Sequence, residues 1–253
     1  MDLGLKGKTA IVTGGACGIG RAVTEMLAEE GCNVAMCDIG PREAAEISVH
    51  SISESTGTAC IFVYADVSKE EDVAVMNETV IKEFGSYDIL VNNAAIFPAV
   101  QSSGVELADW ERVLSVNLTG VFLTSKAAIA HFKGKSTGGR IINLTSQSAF
   151  RGTRSGHSHY TAAKAGVVGL TRTLALETAK YGICVNAVAP GIVKTTMMES
   201  KINSREAKYE AEIPLGYISE PKDVAYAIVF LASTMGKYIT GATIDVSGGI
   251  MLR

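Results

Sequence analysis

The amino-acid sequence predicts an α/β fold, a doubly wound, mostly parallel seven-stranded sheet with helices on both faces. Short apolar, β-branched runs alternate with longer helical patterns along the whole chain, which is typical of such a fold. The runs are apolar throughout, as expected for strands that are covered on both sides. No low-complexity linker divides the 253 residues. We therefore predict a single domain over residues 1–253, with cofactor motifs mainly in 8–120 and substrate segments mainly in 140–220.

The predicted elements follow one another in strict alternation. The strands are expected at residues 9–13, 33–38, 60–64, 88–92, 140–145, 183–188 and 243–246. The helices are expected at residues 18–30, 41–55, 69–84, 107–132, 160–180 and 221–232. Residues 195–220 fit neither pattern, and we predict there a mobile lid over a site.

Composition restricts the class of protein. The chain is 47% hydrophobic and 19% charged, with a net charge of −3 and no basic block, so we expect no nucleic-acid partner. No uncharged apolar run reaches the ~18 residues of a membrane span, so no membrane partner is expected. No secretory signal is visible at the amino terminus.

The cysteines and histidines predict no metal site. Five cysteines, an odd number without a Cys-x-x-Cys pair, are typical of reduced thiols in a cytoplasmic protein. His157 and His159 are close in sequence but have no acidic or cysteine partner at metal-ligand spacing.

A glycine-rich turn follows the first predicted strand and opens a helix, in the segment Thr13-Gly14-Gly15-Ala16-Cys17-Gly18-Ile19-Gly20. Glycines allow a tight turn and a close approach of the backbone to a pyrophosphate, which binds at the helix amino terminus. The turn could instead be purely structural. Its place inside a β-α-β unit favours a dinucleotide site.

Asp38 ends the second predicted strand, about 20 residues after the glycine turn, where a carboxylate accepts hydrogen bonds from the adenosine ribose. The carboxylate would repel a 2′-phosphate, and the turn contains no Arg or Lys. Arg42 is the nearby cation, and we expect it to point outward. We predict NAD rather than NADP, with the alternative that Asp38 only caps the turn before Pro41.

Tyr160 and Lys164 are four residues apart in a predicted helix, so both side chains lie on one face. A neighbouring ammonium lowers the pKa of a phenol, which would make Tyr160 a general acid/base. On its own the pair could be an exposed tyrosine beside an exposed lysine.

Together these motifs resemble those of a classical short-chain dehydrogenase/reductase, and the resemblance covers essentially the whole chain. The family's acidic adenine-side pair is similar to Asp66-Val67, and its Asn-Asn-Ala-Gly motif to Asn92-Asn93-Ala94-Ala95, with Ala95 in place of glycine. Its helix asparagine and strand-end serine are similar to Asn117 and Ser146, with Ser148 as a competing serine. The segment that contacts the nicotinamide is similar to 190–195.

The resemblance implies a Rossmann-like fold and an oxidoreductase mechanism. Tyr160 would exchange a proton with the substrate oxygen, Lys164 would lower its pKa and bind the nicotinamide ribose, Ser146 would hold the substrate oxygen, and Asn117 would position a relay water. The implied catalytic residues are Asn117, Ser146, Tyr160 and Lys164. The implied cofactor-binding residues are Gly14, Cys17, Gly18, Ile19, Gly20, Asp38, Asp66, Val67, Asn93, Tyr160, Lys164, Pro190, Gly191, Val193 and Thr195.

Three functions stay open at this point. The first is an NAD-dependent dehydrogenase of a secondary alcohol, a polyol or sugar, or a hydroxy acid. The second is an NADP-dependent 3-oxoacyl-(acyl-carrier-protein) reductase-like enzyme, and the third is a non-enzymatic dinucleotide sensor. The resemblance also implies a homotetramer formed through helices around 107–132 and 158–180 and the last strand.

The substrate pocket is expected to include Phe97-Pro98, residues 147–157 and Met197-Met198. Arg151 and Arg154 could bind an anionic group, although loop arginines are more often solvated. Cys17 at a helix amino terminus could be a reactive thiol beside the pyrophosphate, or simply a small residue that fits the turn.

Overall fold

A single parallel sheet organises the chain. The computed structural model describes residues 2–153 and 156–251. The strands are β1 (Thr9–Thr13), β2 (Asn33–Asp38), β3 (Cys60–Tyr64), β4 (Ile89–Asn92), β5 (Gly139–Leu144), β6 (Ile183–Pro190) and β7 (Thr243–Val246). They lie in the order β3-β2-β1-β4-β5-β6-β7, and every pairing between these strands is parallel. The sheet predicted as mostly parallel is therefore wholly parallel in the described residues.

Helices cover both faces of the sheet, which confirms the predicted doubly wound fold. The main helices are α1 (Gly18–Glu29), α2 (Arg42–Thr56), α3 (Glu70–Phe84), α4 (Leu107–Leu114), α5 (Gly120–Lys133), α7 (Ser158–Thr178) and α10 (Pro221–Ala232). Helices α1, α2 and α10 pack on one face, and α3, α5 and α7 on the other. Successive residues of a strand face opposite sides, so Val12 packs in the first layer and Ile11 in the second.

The strand order reverses direction between β1 and β4. From β1 the chain moves outward to β2 and β3, and then returns to β4 on the other side of β1. Crossover loops at such a switch point diverge, which leaves a crevice at the carboxyl ends of the strands. The predicted glycine turn leaves β1 at this crevice.

Several predicted boundaries were wrong. The helix expected over 107–132 is present as one continuous helical stretch, Leu107–Lys133, in which an unpredicted π-helical turn, Ser115–Thr119, separates α4 from α5. Strand β6 continues to Pro190 rather than ending at 188, because it keeps pairing with β7. A short helix, α6 (Ser148–Arg151), lies in the loop after β5. These features depend on contacts between distant segments, which local periodicity does not report.

The predicted lid region, residues 195–220, is more regular than expected. It contains two short helices, α8 (Glu199–Asn203) and α9 (Glu206–Glu212), and a parallel bridge between Val193 and Ser219. A separate apolar cluster holds this region together, formed by Ile192, Ile202, Ile213 and Ile218. Ile202 of α8 is buried in this cluster and Tyr209 of α9 is partly buried against it, which explains why neither helix shows a long apolar stripe in sequence.

The helical stretch Leu107–Lys133 is long and apolar. Residues Leu107–Lys133 contain an 18-residue window of mean hydropathy 1.4, enough by length and composition to cross a membrane. The core helix of a soluble protein passes the same test. Here Val121, Ala128 and Phe132 are buried in the fold, and buried Thr124 donates a hydrogen bond to Asn92 Oδ1. In all, 39% of this window is buried inside the fold.

Candidate active site

A cavity of about 1500 Å³ opens at the carboxyl ends of the strands. Fourteen of the implied cofactor residues and Ser146 line it, and only Gly20 and Asn117 of the implied set do not. The lining members are Gly14, Cys17, Gly18, Ile19, Asp38, Asp66, Val67, Asn93, Ser146, Tyr160, Lys164, Pro190, Gly191, Val193 and Thr195. The structure thus brings residues from six loops to one crevice.

The glycine turn has the backbone shape that the sequence predicts. Gly14 and Gly18 have φ values of 62° and 53°, in the left-handed region that favours glycine. A Cβ on Gly20 would overlap the Gly14 carbonyl and the Asn93 side chain. Gly20 therefore allows the close packing of the turn against Asn93, and it does not line the cavity.

The amino terminus of α1 has the features of an anion site. Cys17 is its exposed N-cap residue and makes no side-chain capping hydrogen bond, and the first turn carries no acidic residue. The first backbone N–H groups of a helix have no intrahelical partner and attract negative charge. Because the open turn also leaves room for a close approach, these residues fit the pyrophosphate of a dinucleotide.

Asn93 supports the turn from the neighbouring strand. Its Nδ2 donates hydrogen bonds to the carbonyls of Thr13 at 3.0 Å and Gly14 at 2.8 Å. Ala95 replaces the family's glycine. Its φ is not positive, so an alanine fits this position without backbone strain.

Asp38 both caps its own turn and faces the cavity. Its Oδ1 accepts from the Ile39 and Gly40 amides at 2.8 and 3.0 Å, and its Oδ2 accepts from Ala16 N at 3.1 Å. The last bond joins the carboxylate to the glycine turn. A carboxylate has about four acceptor positions, so Asp38 can also accept a ribose hydroxyl.

Asp66 and Val67 form the wall after β3. Asp66 Oδ1 accepts from the Ser68 amide and hydroxyl at 3.0 and 2.7 Å, which fixes the side chain beside the cavity. Val67 is buried and packs so closely on Gly120 that a Cβ there would lie 2.8 Å from Val67 Cγ2. The pair is therefore a rigid wall of the crevice.

Ser146 and Tyr160 both line the cavity. Ser146 Oγ accepts from Ser148 Oγ at 3.1 Å and from Ser148 N at 3.2 Å, so its own hydroxyl proton can be donated either to Tyr160 or to a bound ligand. Ser148, the competing serine in the sequence, thus orients Ser146. Burial raises the pKa of Tyr160 to about 12, and the hydrogen bond from Ser146 opposes that rise.

Lys164 lies on the same face of α7 as Tyr160, as the four-residue spacing predicted. Its Nζ donates to the Leu144 carbonyl at 2.7 Å and lies 5.8 Å from the centroid of the Tyr160 ring. Burial lowers the pKa of Lys164 to about 8. The expected lowering of the Tyr160 pKa by Lys164 is not found, because the ammonium is directed at a backbone carbonyl and burial dominates at the phenol.

Asn117 lies outside the cavity wall, within the π-helical turn Ser115–Thr119, and is fully buried. Its Oδ1 accepts from Ile96 N at 2.9 Å and its Nδ2 donates to Ile96 O at 2.8 Å. The side chain therefore holds the loop after β4. The relay role implied by the resemblance stays a prediction.

Some of the residues predicted for the substrate pocket line the cavity, and others do not. Phe97, Met197 and Met198 line the cavity, but Pro98 does not. Of the loop at 147–157, the lining residues are Gln147, Ser148, Arg151, Gly152 and Thr153. Arg154 lies outside the described residues.

The lid contributes residues that the sequence reading missed. Arg205, Lys208, Tyr209 and Glu212 line the cavity from the lid helices. Arg205, the N-cap residue of α9, and Lys208, within α9, are both exposed. Their i, i+3 spacing was visible in the sequence, but the position of the lid relative to the crevice was not.

No cluster of three or more His, Cys, Asp or Glu side chains able to hold a metal ion occurs in residues 2–153 and 156–251. The absence of a metal from the reaction stays a prediction.

Comparison with known proteins gives a consistent result. Residues 14–251 match a family described as enoyl-(acyl carrier protein) reductase. The chain is 43% identical over 250 residues to 3beta-hydroxysteroid dehydrogenase 1 of Eggerthella lenta, covering 98% of this chain and 95% of the relative. It is 41% identical over 246 residues to 3-oxoacyl-(acyl-carrier-protein) reductase FabG of Staphylococcus epidermidis, covering 97% and 99%.

A solved structure shows the same fold. A short-chain type dehydrogenase/reductase from Mycobacterium marinum superimposes with a TM-score of 0.94 at 33% identity, covering 100% of this chain and 98% of that one. With the glycine turn, the serine and the tyrosine–lysine pair in one crevice, the chain belongs to the classical short-chain dehydrogenase/reductase family of oxidoreductases.

Proposed function

We propose that this oxidoreductase interconverts a secondary alcohol and the corresponding ketone with NAD. The observation that carries the proposal is that Ser146 and Tyr160 line the same cavity as the glycine turn. A proton-exchanging phenol beside a dinucleotide cradle is suited to carbonyl reduction and alcohol oxidation.

The side chains suggest the following division of roles. The bound nicotinamide would supply or accept the hydride at the carbinol carbon. Ser146 donates its hydroxyl proton to the substrate oxygen, because its acceptor side is occupied by Ser148. Tyr160 gives its proton to the oxygen during ketone reduction and takes it back during alcohol oxidation. Lys164, charged below pH about 8, adds positive potential beside the oxygen.

Asp38 supports NAD as the cofactor. Its Oδ2 is held beside the glycine turn by Ala16 N, where a 2′-phosphate would meet a fixed negative charge. Parallel measurement of NADH and NADPH with a panel of secondary alcohols, polyols and hydroxy acids tests both parts of the proposal. Turnover with none of these substrates, in either direction and with either cofactor, would favour the non-enzymatic dinucleotide sensor.

A second candidate is a reductase of 3-oxoacyl thioesters carried on an acyl carrier protein. The relative from Staphylococcus epidermidis has that name, and Arg205 and Lys208 could bind an acidic carrier or phosphate at the cavity mouth. For this candidate, Arg205→Ala with Lys208→Ala should raise the KM of an anionic substrate about tenfold or more and that of a neutral alcohol little. Lys222→Ala, a charge change on α10, is the matched control. Equal effects on both substrates would reject an anion role.

We also propose a cytoplasmic homotetramer. Five free thiols in the described chain agree with a reducing compartment.

Exposed apolar side chains support the tetramer: Leu107, Phe122 and Leu176 are exposed on the helices expected to pair. Gly166 already packs on Leu118 within one subunit, whereas a Cβ at Gly169 would meet open space. Light scattering on the Leu176→Glu variant tests the tetramer: the variant should have a smaller molar mass than the wild type.

A further inference from the structure

His157 lies directly behind the substrate end of the cavity without lining it. The side chain is 2% exposed. Its imidazole stacks on the Phe97 ring with a centroid distance of 3.9 Å and an interplanar angle of 15°. Phe97, which does line the cavity, in turn presents its ring to Tyr160 in an edge contact at 4.6 Å and 68°. The three rings form a continuous series that ends at the proton-exchanging phenol.

A hydrogen bond fixes the imidazole at the other end of the series. His157 Nδ1 is 2.7 Å from the Pro98 carbonyl oxygen, which can only accept, so Nδ1 carries the hydrogen. Both His157 and Tyr160 belong to the start of α7 or its N-cap, whereas Phe97 and Pro98 follow β4. The histidine therefore joins the loop after β4 to the helix that carries the catalytic phenol.

Other contacts hold the same two segments together. Val100 N donates to the Gly156 carbonyl at 2.7 Å. Gly156 has φ +77°, and a Cβ there would lie 2.8 Å from the Val100 carbonyl carbon. Asn117 fixes Ile96, the residue before Phe97, through both of its side-chain polar groups. Since the backbone of 96–100 is held on both sides, the placement of the Phe97 ring on Tyr160 depends on its side-chain contacts, which include the His157 imidazole.

We propose that His157 is a positioning residue, which holds the Phe97 ring against Tyr160 and so sets the orientation of the phenol towards the substrate oxygen. This inference rests on the proposed function, because it gives a part in proton exchange to a residue that touches neither substrate nor cofactor. An error of about 1 Å in the placement of a reacting group is enough to cost up to about a hundredfold in rate. The effect should therefore appear in kcat and not in cofactor affinity.

The two contacts of His157 can be separated by substitution. His157→Phe keeps a ring for stacking and loses the donor to Pro98, His157→Asn keeps a donor and loses the ring, and His157→Ala loses both. We expect His157→Ala to lower kcat for a secondary alcohol about tenfold, with the KM for NAD changed by less than about twofold. His157→Phe should recover most of the loss, because the stack transmits the position to Phe97.

The chain offers a matched control in His131. Its ring stacks on Tyr87 at 4.3 Å and 11° and its Nε2 contacts Ser86 Oγ at 3.0 Å, and none of these three residues lines the cavity. His131→Ala thus removes a stacked, hydrogen-bonded histidine and should change thermal stability without lowering kcat. If His157→Ala and His131→Ala have equal kcat values, His157 is only structural and the proposal is overturned.

Two further measurements keep the proposal open to refutation. If His157→Ala does not fold, His157→Phe and His157→Asn carry the comparison, and an Asn variant as active as the Phe variant would reject the role of the stack. In a double-mutant cycle, His157→Ala combined with Phe97→Leu should lower kcat no further than Phe97→Leu alone, because both act through one ring. Additive losses would show independent roles and reject it.

Failure of the proposed function gives a different result. Tyr160→Phe should abolish turnover if Tyr160 exchanges the proton, whatever His157 does. An active Tyr160→Phe variant would reject the proposed function itself. If a pH–rate limb near 6.5, the ordinary pKa of histidine, disappears in His157→Phe, then His157 titrates in the reaction, and the positioning role is overturned.

Discussion

Replacement of Asn117 by alanine should destabilise the fold as well as the reaction. The wild-type side chain is fully buried and makes hydrogen bonds of 2.9 and 2.8 Å to the two polar backbone groups of Ile96. Alanine removes both partners and leaves the Ile96 N–H and C=O without them. Each hydrogen bond contributes about 1 kcal/mol, and an unsatisfied buried group costs about 1–3 kcal/mol. We expect the free energy of unfolding to fall by roughly 2–4 kcal/mol.

Urea denaturation followed by circular dichroism measures this change, and thermal unfolding should shift down by roughly 5–15 °C for a chain of this size. Asn33→Ala is the matched control. Asn33 Oδ1 accepts one hydrogen bond, from Ala59 N at 3.2 Å in an exposed place, so its loss should cost about 1 kcal/mol or less. If Asn117→Ala unfolds no more easily than Asn33→Ala, Asn117 does not stabilise the loop after β4 in the way the hydrogen bonds suggest. A normal stability with a reduced kcat would instead favour the relay role implied by the family resemblance.

Three more predictions concern the site itself. Asp38→Asn should weaken NAD binding and strengthen NADP binding, which shifts the ratio of kcat/KM values towards NADP by about tenfold or more, and an unchanged ratio would contradict the role of the carboxylate. Tyr160 has a raised pKa, about 12, so its acid form persists at neutral pH: ketone reduction should vary little from pH 5 to 7, whereas alcohol oxidation, which needs the base, should rise with pH over that range. Above pH about 8 ketone reduction should fall, because Lys164 loses its charge there. A steep fall of ketone reduction between pH 5 and 7 in initial-rate profiles would contradict the role of Tyr160 as the acid. Alkylation of exposed Cys17 should block NAD binding and be prevented by bound NAD, with Cys17→Ser as the resistant control; unchanged NAD affinity after modification confirmed by mass spectrometry would refute it.

Local sequence patterns were sufficient for the features that depend on neighbours in the chain. The positive φ angles at Gly14 and Gly18, the helix that begins at Gly18, and the common face of Tyr160 and Lys164 all follow from spacing and residue type. Strand polarity follows from the same local information, since long helical crossovers between apolar runs require parallel pairing. The lid helices were missed because they have only five and seven residues and each contributes a single apolar side chain, Ile202 or Tyr209, to a separate cluster.

The sequence by itself determined the family, the parallel sheet and the residue types that the reaction needs. Only the tertiary structure decided what those side chains contact. Lys164 reaches the Leu144 carbonyl across 20 positions, Asn117 reaches Ile96 across 21, and His157 reaches Pro98 across 59. A hydrogen bond or a ring stack depends on distances of a few ångströms between segments. Periodicity describes only the face on which a residue lies, so it cannot report which distant group that face meets.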